Sequence, residues 1–231
     1  MSEKESVKLI EVFNTWQGEG PDSGKAMIIL RFKTCNLNCP WCDTRVKMRI
    51  TPEAEYPLEQ IQGIINETGA GLLVTGGEPT VAKHFDECVA LLNDLEYPVA
   101  NVESNGFNLP GLIERVDPDK PVTFIYSPKI FKHSDYQDAV HQAMVLFEMS
   151  DKVVIKLVYE PDNEDMIDFM NWLATPADPQ LHITIPGQRV YLMPEGTTRA
   201  TLIQNSEKVF DAAEKYRFNF SSRDHIIYGF V

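Results

Sequence analysis

The sequence predicts an α/β fold with a mainly parallel sheet and covering helices. Short apolar, β-branched runs alternate along the chain with segments whose apolar residues recur at helical spacing. The predicted strands are apolar on both faces, which is typical of parallel sheets that are covered on both sides. No internal repeat, low-complexity tract or linker interrupts this pattern, so we expect residues 1–231 to form a single domain.

Each element follows from its local pattern. The first predicted strand, "AMIILRF" (26–32), is a continuous apolar run, and the helix predicted at 57–67 repeats its apolar residues every three or four positions. The further predicted strands are 71–75, 98–104, 121–127, 152–159 and 189–193, and the further predicted helices are 82–95, 135–148, 161–174 and 198–216. The pattern assigns no type to 109–116 or to the apolar segment 225–231. In such folds ligands gather where the strands end, so the residues that follow each strand are the candidates for function.

The composition argues against several classes of function. Only 21 Lys and Arg oppose 34 Asp and Glu, which gives a net charge of −13, and we therefore expect no direct binding to nucleic acid. No apolar segment approaches the ~20 residues that a membrane span needs, and no basic stretch followed by an apolar run indicates a signal peptide. We expect a cytoplasmic protein with reduced thiols, in which clustered cysteines more often bind metal than form disulfides.

Three of the four cysteines lie in "TCNLNCPWCDT" (34–44), at Cys35, Cys39 and Cys42. Chance rarely places three cysteines so close together. Zinc held by these thiolates and a distant His is one interpretation, but no second ligand pair follows at the usual spacing. The other is an iron–sulfur cluster in which one iron has no protein ligand and is open to a small molecule. Cys88 lies on the apolar face of a predicted helix, and we expect it in the core.

Two motifs together resemble the radical S-adenosylmethionine (SAM) superfamily. Its members hold a 4Fe–4S cluster by Cys-x3-Cys-x2-Cys, and an aromatic residue such as Trp41 often precedes the third cysteine. The fourth iron binds the amino and carboxylate groups of SAM. "LLVTGGEPT" (72–80) taken alone is a strand and a turn. It also resembles the Gly-Gly-Glu motif of the superfamily, which contacts the methionine amine of SAM.

A longer stretch, "FNTWQGEGPDSGKAMIILRFKTCNLNCPWCDT" (13–44), resembles the 7-carboxy-7-deazaguanine synthase family. The shared features are Gln-Gly-Glu-Gly at 17–20, an arginine on the first strand and Cys-Asp-Thr at 42–44. The resemblance continues in "VESNG" (102–106), "SPK" (127–129), "YLMPEG" (191–196) and "SSRDHIIYGF" (221–230). The matching blocks therefore extend along the whole chain.

The resemblance implies the conversion of 6-carboxy-5,6,7,8-tetrahydropterin to 7-carboxy-7-deazaguanine by radical ring contraction, with loss of ammonia. It implies a 4Fe–4S cluster, SAM and Mg²⁺ as cofactors, and an external electron donor such as flavodoxin or ferredoxin. It also implies a homodimer and a partial, modified radical SAM β/α barrel, with about six parallel strands and a reduced helix set. The product would serve 7-deazapurine biosynthesis. The alternatives are another radical SAM enzyme, such as a glycyl-radical activase, and a zinc-binding interaction module.

The resemblance also implies the roles of individual residues. Arg31 would grip the substrate carboxylate as a bidentate fork, although a structural ion pair would equally explain a charge in an apolar strand. Gln17 and Glu19 would complete the catalytic set, and Thr44 would bind Mg²⁺. The expected SAM-binding residues are Trp41, Asp43, Gly76, Gly77, Glu78, Gly106, Ser127, Pro128, Lys129, Met193 and Glu195. The expected substrate-binding residues are Trp16, Gln17, Gly18, Arg31, Ser104, His225 and Val231.

Three of these residues depart from the family pattern or have a second explanation. Ser104 replaces a common Thr and keeps the hydroxyl group. Met193 replaces a common Gln and cannot donate a hydrogen bond, so a SAM contact there would be apolar or through the backbone. His225 would also be explained by simple packing. Because residues 226–231 are mostly apolar, we expect them to pack inward and to bring the α-carboxylate of Val231 to the pterin.

Overall fold

The computed structural model describes residues 6–40, 42–175 and 185–230. The chain divides into two compact units: unit 1 comprises Met1–Gln17 and Gly24–Phe124, and unit 2 comprises Gly18–Ser23 and Ile125–Val231. The expectation of a single domain stays a prediction. No helix in the described ranges has the length and apolar character that a membrane crossing requires.

Unit 1 is built on a mixed sheet in which β3, β5 and β6 run parallel and β2 pairs antiparallel with β3. Its core includes Met27, Ile29 and Leu73, which pack against Phe13 and Val99. β1 and β4 form a separate antiparallel pair. The strands are β1 (Ser6–Leu9), β2 (Glu11–Trp16), β3 (Ala26–Phe32), β4 (Ala54–Pro57), β5 (Gly71–Gly76) and β6 (Ala100–Ser104), and the helices are α1 (Arg45–Ile50), α2 (Leu58–Thr68), α3 (Phe85–Asp94) and α4 (Leu109–Arg115). β7 (Val122–Tyr126) begins in unit 1 and ends in unit 2.

Unit 2 contains the parallel strands β8, β9 and β10. β8 is buried along nearly its whole length, as its apolar sequence predicts. The elements are α5 (His133–Met149), β8 (Val153–Tyr159), α6 (Glu164–Ala174), a 3₁₀ turn (Gly187–Arg189), β9 (Val190–Pro194), α7 (Arg199–Tyr216), β10 (Asn219–Phe220) and α8 (Asp224–Tyr228). Asn163 and Thr198 begin α6 and α7 by accepting a hydrogen bond from the backbone N–H three residues later.

The predicted α/β fold with a mostly parallel sheet is confirmed, and each strand and helix predicted after residue 25 is present. The helix predicted at 82–95 begins later, at Phe85, because Val81 to His84 form a turn. The unassigned segments contain α4 and α8. The sequence did not predict β1, β2, β4, β10 or α1, whose short or half-exposed runs lack a continuous apolar pattern.

Candidate functional site

The three clustered cysteines lie on the loop that joins β3 to α1. All are free thiols; Cys39 is buried, and Cys35 and Cys42 are partly exposed. The backbone N–H of Leu37 donates to Cys35 Sγ at 3.4 Å, and Cys42 Sγ lies 3.4 Å from Thr44 Oγ1. Burial is the main cause that raises the pKa of the Cys35 thiol, and charge on Cys39 and Cys42 adds to it. The nearby Glu78 carboxylate also raises the pKa of Cys35.

The glycines of the Gly-Gly-Glu motif pack directly on the backbone that leads into this loop. A Cβ on Gly76 would lie 2.3 Å from Phe32 O, and a Cβ on Gly77 would lie 2.1 Å from Thr34 O. Gly76 also has a φ of +119°, which favours glycine. The N–H of Gly77 donates to Phe32 O at 2.9 Å, and the N–H of Glu78 donates to Thr34 O at 2.8 Å. The two motifs found in the sequence are thus joined in the structure.

The carboxylate of Glu78 connects the ends of two parallel strands. Its Oε1 accepts hydrogen bonds from Thr80 N at 3.0 Å, Thr80 Oγ1 at 2.6 Å and Ser104 Oγ at 2.8 Å. Its Oε2 accepts from the backbone N–H of Asn105 at 2.6 Å. Glu78 is 1% exposed, so these bonds replace the water that a buried carboxylate would lose. Gly106 donates to Ser104 Oγ at 3.0 Å, which brings three predicted site residues together.

His84 supports the start of the cysteine loop and was missed in the sequence. Its Nε2 accepts a hydrogen bond from Thr34 N at 3.1 Å, and its ring stacks on Phe32 with centroids 4.7 Å apart. Burial lowers the pKa of His84 to about 4, with a further contribution from Lys83, so the ring is neutral at pH 7. A single His within the helix predicted at 82–95 gave no sequence signal for this role.

The cysteine loop fits an iron–sulfur cluster by ligand type, spacing and position. Thiolates are the usual ligands of such clusters. This loop follows the carboxyl end of β3, which is the end of a parallel strand where ligands bind in such folds. Across the described ranges, no three His, Cys, Asp or Glu side chains are already drawn together as a metal-binding group. The fit therefore depends on the chemistry of the donors and on the packed glycine turn beside them.

Arg31 forms the ion pair that was the alternative explanation for it. Its Nε lies 2.5 Å from Glu11 Oε2, directly across the β2–β3 pair, and Lys47 Nζ lies 2.9 Å from Glu11 Oε1. Burial alone would raise the pKa of Glu11, but Lys47 and Arg31 lower it below its usual range. Among the described residues, neither Nη group of Arg31 donates a hydrogen bond. Glu11 thus fixes the Nε edge of the guanidinium, and the N–H groups of the Nη edge remain able to donate to a ligand.

The side chain of Gln17 forms a hydrogen bond with Asn101, which was not among the predicted site residues. Gln17 Nε2 donates to Asn101 Oδ1 at 3.0 Å, and both side chains are buried. Asn101 lies within β6 between Ala100 and Val102, and all three side chains are buried. The polar residues of this strand gave no distinct signal in the sequence.

In unit 2, Glu19 is the centre of a buried charge cluster. Glu19 Oε2 lies 2.6 Å from Lys156 Nζ, and Glu19 Oε1 lies 3.0 Å from Arg223 Nε and 3.7 Å from His225 Nε2. Burial would raise the pKa of Glu19, but Lys156 and Arg223 hold it well below its usual range. Lys156 and Arg223 were not predicted. The signal for Lys156 was a charge inside the apolar run "VVIKLVY", the same signal that identified Arg31.

The loop at residues 18–23 is fixed to residues 221–225. Asp224 N donates to Gly18 O at 3.0 Å, and Gly20 N donates to Ser221 Oγ at 2.8 Å. A Cβ on Gly18 would lie 2.5 Å from the Nδ1 atom of His225. Gly18 therefore permits a close approach of the loop to His225, and two predicted substrate residues are adjacent.

The remaining predicted residues are placed as follows. Lys129 Nζ donates to Ser127 Oγ at 2.6 Å and to Ser127 O at 2.9 Å, so these two predicted SAM residues lie together. Pro128 and Met193 are buried, Glu195 is half-buried, and Asp43 and Trp16 are exposed. Trp41 and Val231 lie outside the described residues, and their predicted roles stay predictions.

Comparison with known proteins agrees with these motifs. Residues 29–171 match the model of the radical SAM superfamily. A 7-carboxy-7-deazaguanine synthase from Hyperthermus butylicus is 29% identical over 96% of this chain and 92% of its own length. The enzyme of the same name from Thermoplasma acidophilum is 37% identical over 42% of this chain and 46% of its own length.

Two solved structures have a similar fold. QueE from Escherichia coli matches with a TM-score of 0.60 and 19% identity, over 94% of this chain and 93% of its own. Streptococcus suis SuiB, in a structure bound to S-adenosylmethionine, matches with a TM-score of 0.58 and 16% identity, over 85% of this chain and 49% of its own. The superfamily model covers more than half of the sequence, including all three clustered cysteines and the Gly-Gly-Glu turn that packs against them. The chain belongs to the radical SAM superfamily.

Proposed function

We propose that this protein is a 7-carboxy-7-deazaguanine synthase that converts 6-carboxy-5,6,7,8-tetrahydropterin to 7-carboxy-7-deazaguanine with loss of ammonia. The observation that carries the proposal is the similarity to the Hyperthermus butylicus enzyme of that name over 96% of the chain. The residues that the family resemblance singled out are also held by specific contacts, as expected of side chains that meet a ligand.

Membership of the superfamily implies a 4Fe–4S cluster and SAM. When bound, this pair supplies the carbon radical that starts the reaction, and the protein supplies position and electrostatics. Cys35, Cys39 and Cys42 would hold the cluster. Gly76 and Gly77 would hold the cysteine loop in place for the cluster, since their missing side chains let the backbone of Phe32 and Thr34 pack against them. Glu78 would accept a hydrogen bond from the amine of SAM in addition to those that it already accepts.

Arg31 and Gln17 would recognise the substrate. The Nη edge of Arg31 has the fork geometry that binds a carboxylate in bidentate fashion, and Glu11 fixes the direction of this edge through Nε. Gln17 donates its amide N–H to Asn101, and this hydrogen bond would orient the amide group that meets the pterin. The proposal thereby gives a role to the buried Arg31 and Gln17 side chains of unit 1.

Glu19 would bind substrate N–H groups as an ionised hydrogen-bond acceptor. Lys156 and Arg223 hold the pKa of Glu19 well below its usual range, which makes this carboxylate a weak proton acceptor at neutral pH. A role as general base would need a pKa closer to the working pH. We therefore assign Glu19 to binding and orientation, with His225 beside it.

The finer features of the proposal come from the family resemblance. Thr44 would contribute an oxygen ligand to Mg²⁺, and its hydroxyl group already lies 3.4 Å from Gly76 O. The reducing electron would come from an external donor such as flavodoxin or ferredoxin. We further propose a cytoplasmic homodimer whose product serves 7-deazapurine biosynthesis, including that of queuosine.

Anaerobic turnover tests the function directly. Protein reconstituted with iron and sulfide is mixed with the carboxylated tetrahydropterin, SAM, Mg²⁺ and dithionite, and the products are identified by mass spectrometry. We expect 7-carboxy-7-deazaguanine and ammonia, and no product from the Cys35→Ala variant. Cleavage of SAM without any conversion of the pterin would instead indicate another radical SAM reaction, such as activation of a partner protein. A single zinc in place of about four iron atoms and four sulfides would indicate the interaction module.

A further inference from the structure

Asn105 follows β6 directly, and its side chain faces the cysteine loop. Its Nδ2 lies 2.9 Å from Asn36 Oδ1 and 3.9 Å from Cys35 Sγ. Its Oδ1 accepts a hydrogen bond from Phe107 N at 3.1 Å, and its backbone N–H donates to Glu78 Oε2 at 2.6 Å. The oxygen end of the amide is thus fixed by its own turn, so the nitrogen end must face the cysteines.

The amide nitrogen can serve both neighbours at once. An Asn NH₂ group carries two hydrogens, one for Asn36 Oδ1 and one for Cys35 Sγ. Hydrogen bonds to sulfur are longer than those to oxygen because the sulfur atom is larger. The backbone N–H of Leu37 already donates to Cys35 Sγ at 3.4 Å, so Asn105 would be the second donor to the same sulfur.

We propose that Asn105 donates an N–H···S hydrogen bond to Cys35 and thereby raises the reduction potential of the 4Fe–4S cluster. Reduction adds negative charge to the cluster and its sulfur ligands. A donor aimed at a ligand sulfur stabilises the reduced form more than the oxidised form, and such bonds are a known determinant of cluster potential. Asn105 is a positioning residue in this proposal, because it acts on the cluster through Cys35. The proposal depends on the cluster of the proposed function and not on the pterin substrate.

An anaerobic redox titration, followed by the EPR signal of the reduced cluster in the absence of SAM, measures this effect. Asn105→Ala removes the donor and keeps the backbone bond to Glu78. Asn105→Asp keeps the size and replaces the donor with a carboxylate. We expect both variants to have a more negative midpoint potential than the unmodified protein, with the larger shift in Asn105→Asp. The matched controls are Asn66→Ala and Asn66→Asp, since Asn66 is an exposed residue of α2 whose side chain accepts a hydrogen bond from Gln62.

A midpoint potential unchanged in both Asn105 variants would overturn the proposal. Loss of the cluster from both Asn105 variants, with normal iron content in the Asn66 variants, would also overturn it by showing a purely structural role. The failure of the proposed function is a separate result: the expected shift can be found in a protein that does not convert the pterin. Absence of any iron–sulfur cluster from the unmodified protein would reject both.

Discussion

Lys156 and Glu19 form an ion pair in the interior of unit 2, with Lys156 Nζ 2.6 Å from Glu19 Oε2 and the lysine side chain only 2% exposed. The two residues are 137 positions apart in the chain. Arg223 lies against the other carboxylate oxygen at 3.0 Å. Both oxygens of the Glu19 carboxylate are therefore held by a cation. Lys156 on β8 and Arg223 just before α8 stabilise its ionised form in the interior.

Removal of Lys156 should strongly destabilise the protein. Lys156→Met keeps the length of the side chain and leaves the Glu19 carboxylate buried with one cation fewer. Breaking a buried pair from one side costs about 3–5 kcal/mol of unfolding free energy, which anaerobic urea denaturation would measure. The control is Lys8→Met, which breaks the exposed Lys8–Glu55 pair and should cost under about 1 kcal/mol. Equal, small losses in both variants would mean that Lys156 contributes no more than a surface lysine.

His84 should make stability depend on pH between about 6.5 and 4. Its pKa in the folded protein is about 4, whereas the unfolded chain binds the proton near 6.5. A lowered histidine pKa means that the folded state disfavours the proton, so this contribution is complete above pH 6.5 and is lost as the pH falls toward 4. We expect it to amount to about 2 kcal/mol between pH 7 and pH 4.5.

The variant His84→Gln isolates this effect in urea denaturation at several pH values. The glutamine does not titrate, so the stability of this variant should fall less steeply with falling pH. The control is His133→Gln, at an exposed histidine whose Nδ1 lies 2.7 Å from Asp165 Oδ1. If His84→Gln and the unmodified protein followed parallel curves, the low pKa of His84 would be refuted.

We expect the three cysteines of the loop to be required for the cluster and Cys88 to be dispensable for it. Cys35→Ala, Cys39→Ala and Cys42→Ala should each lose the brown chromophore of the cluster and the cleavage of SAM. Cys88→Ala should keep both, since Cys88 is fully buried on α3 and burial strongly raises its pKa, so it stays a neutral thiol. Its small cavity should cost about 1 kcal/mol of stability. Iron analysis and absorption spectra check this prediction, and loss of the cluster in Cys88→Ala would contradict the ligand assignment.

The two edges of the Arg31 guanidinium should have separable roles. Arg31→Lys keeps a positive charge beside Glu11 but lacks the fork, and Arg31→Ala lacks both. Loss of a buried charged contact costs ~2–5 kcal/mol, so pterin binding should weaken by roughly 30- to 4,000-fold while SAM cleavage continues. Glu11→Gln, which removes the ion pair and keeps the Nη edge, should weaken pterin binding far less. Equal losses in Glu11→Gln and Arg31→Ala would assign Arg31 to a structural ion pair.

Gly18 should tolerate no side chain. In Gly18→Ala the new methyl group would lie 2.5 Å from His225 Nδ1 and 2.8 Å from His225 N, so the segment at His225 must move. We expect weaker pterin binding with an intact cluster, measured as a raised KM with unchanged iron content. Gly63→Ala is the matched control, because nothing lies within 4 Å of its Cβ position inside α2. That variant should be stabilised by about 0.5–1 kcal/mol.

The parallel strands were predictable because burial on both faces leaves a continuous apolar run, as in β3 and β8. The cysteine loop was predictable because its ligand spacing is local. The contacts of Glu78 were not, since Ser104 and Asn105 lie 26 and 27 residues away and only the parallel sheet brings them near. The sequence also could not decide whether Arg31 forms a structural ion pair or binds a substrate carboxylate. Its partner Glu11 lies on β2, a strand that the sequence pattern did not predict.

The fastening of residues 18–23 to residues 221–225 has a consequence for protein synthesis. Ser221, Arg223 and Asp224 leave the ribosome about 200 residues after the loop that they hold, as the separations of 201 and 204 positions require. Until then the buried Glu19 has only part of its charge partners, and long-range contacts of this kind also slow folding. The loop at residues 18–23 therefore lacks several of its hydrogen-bond partners until residues 221–225 have been synthesised.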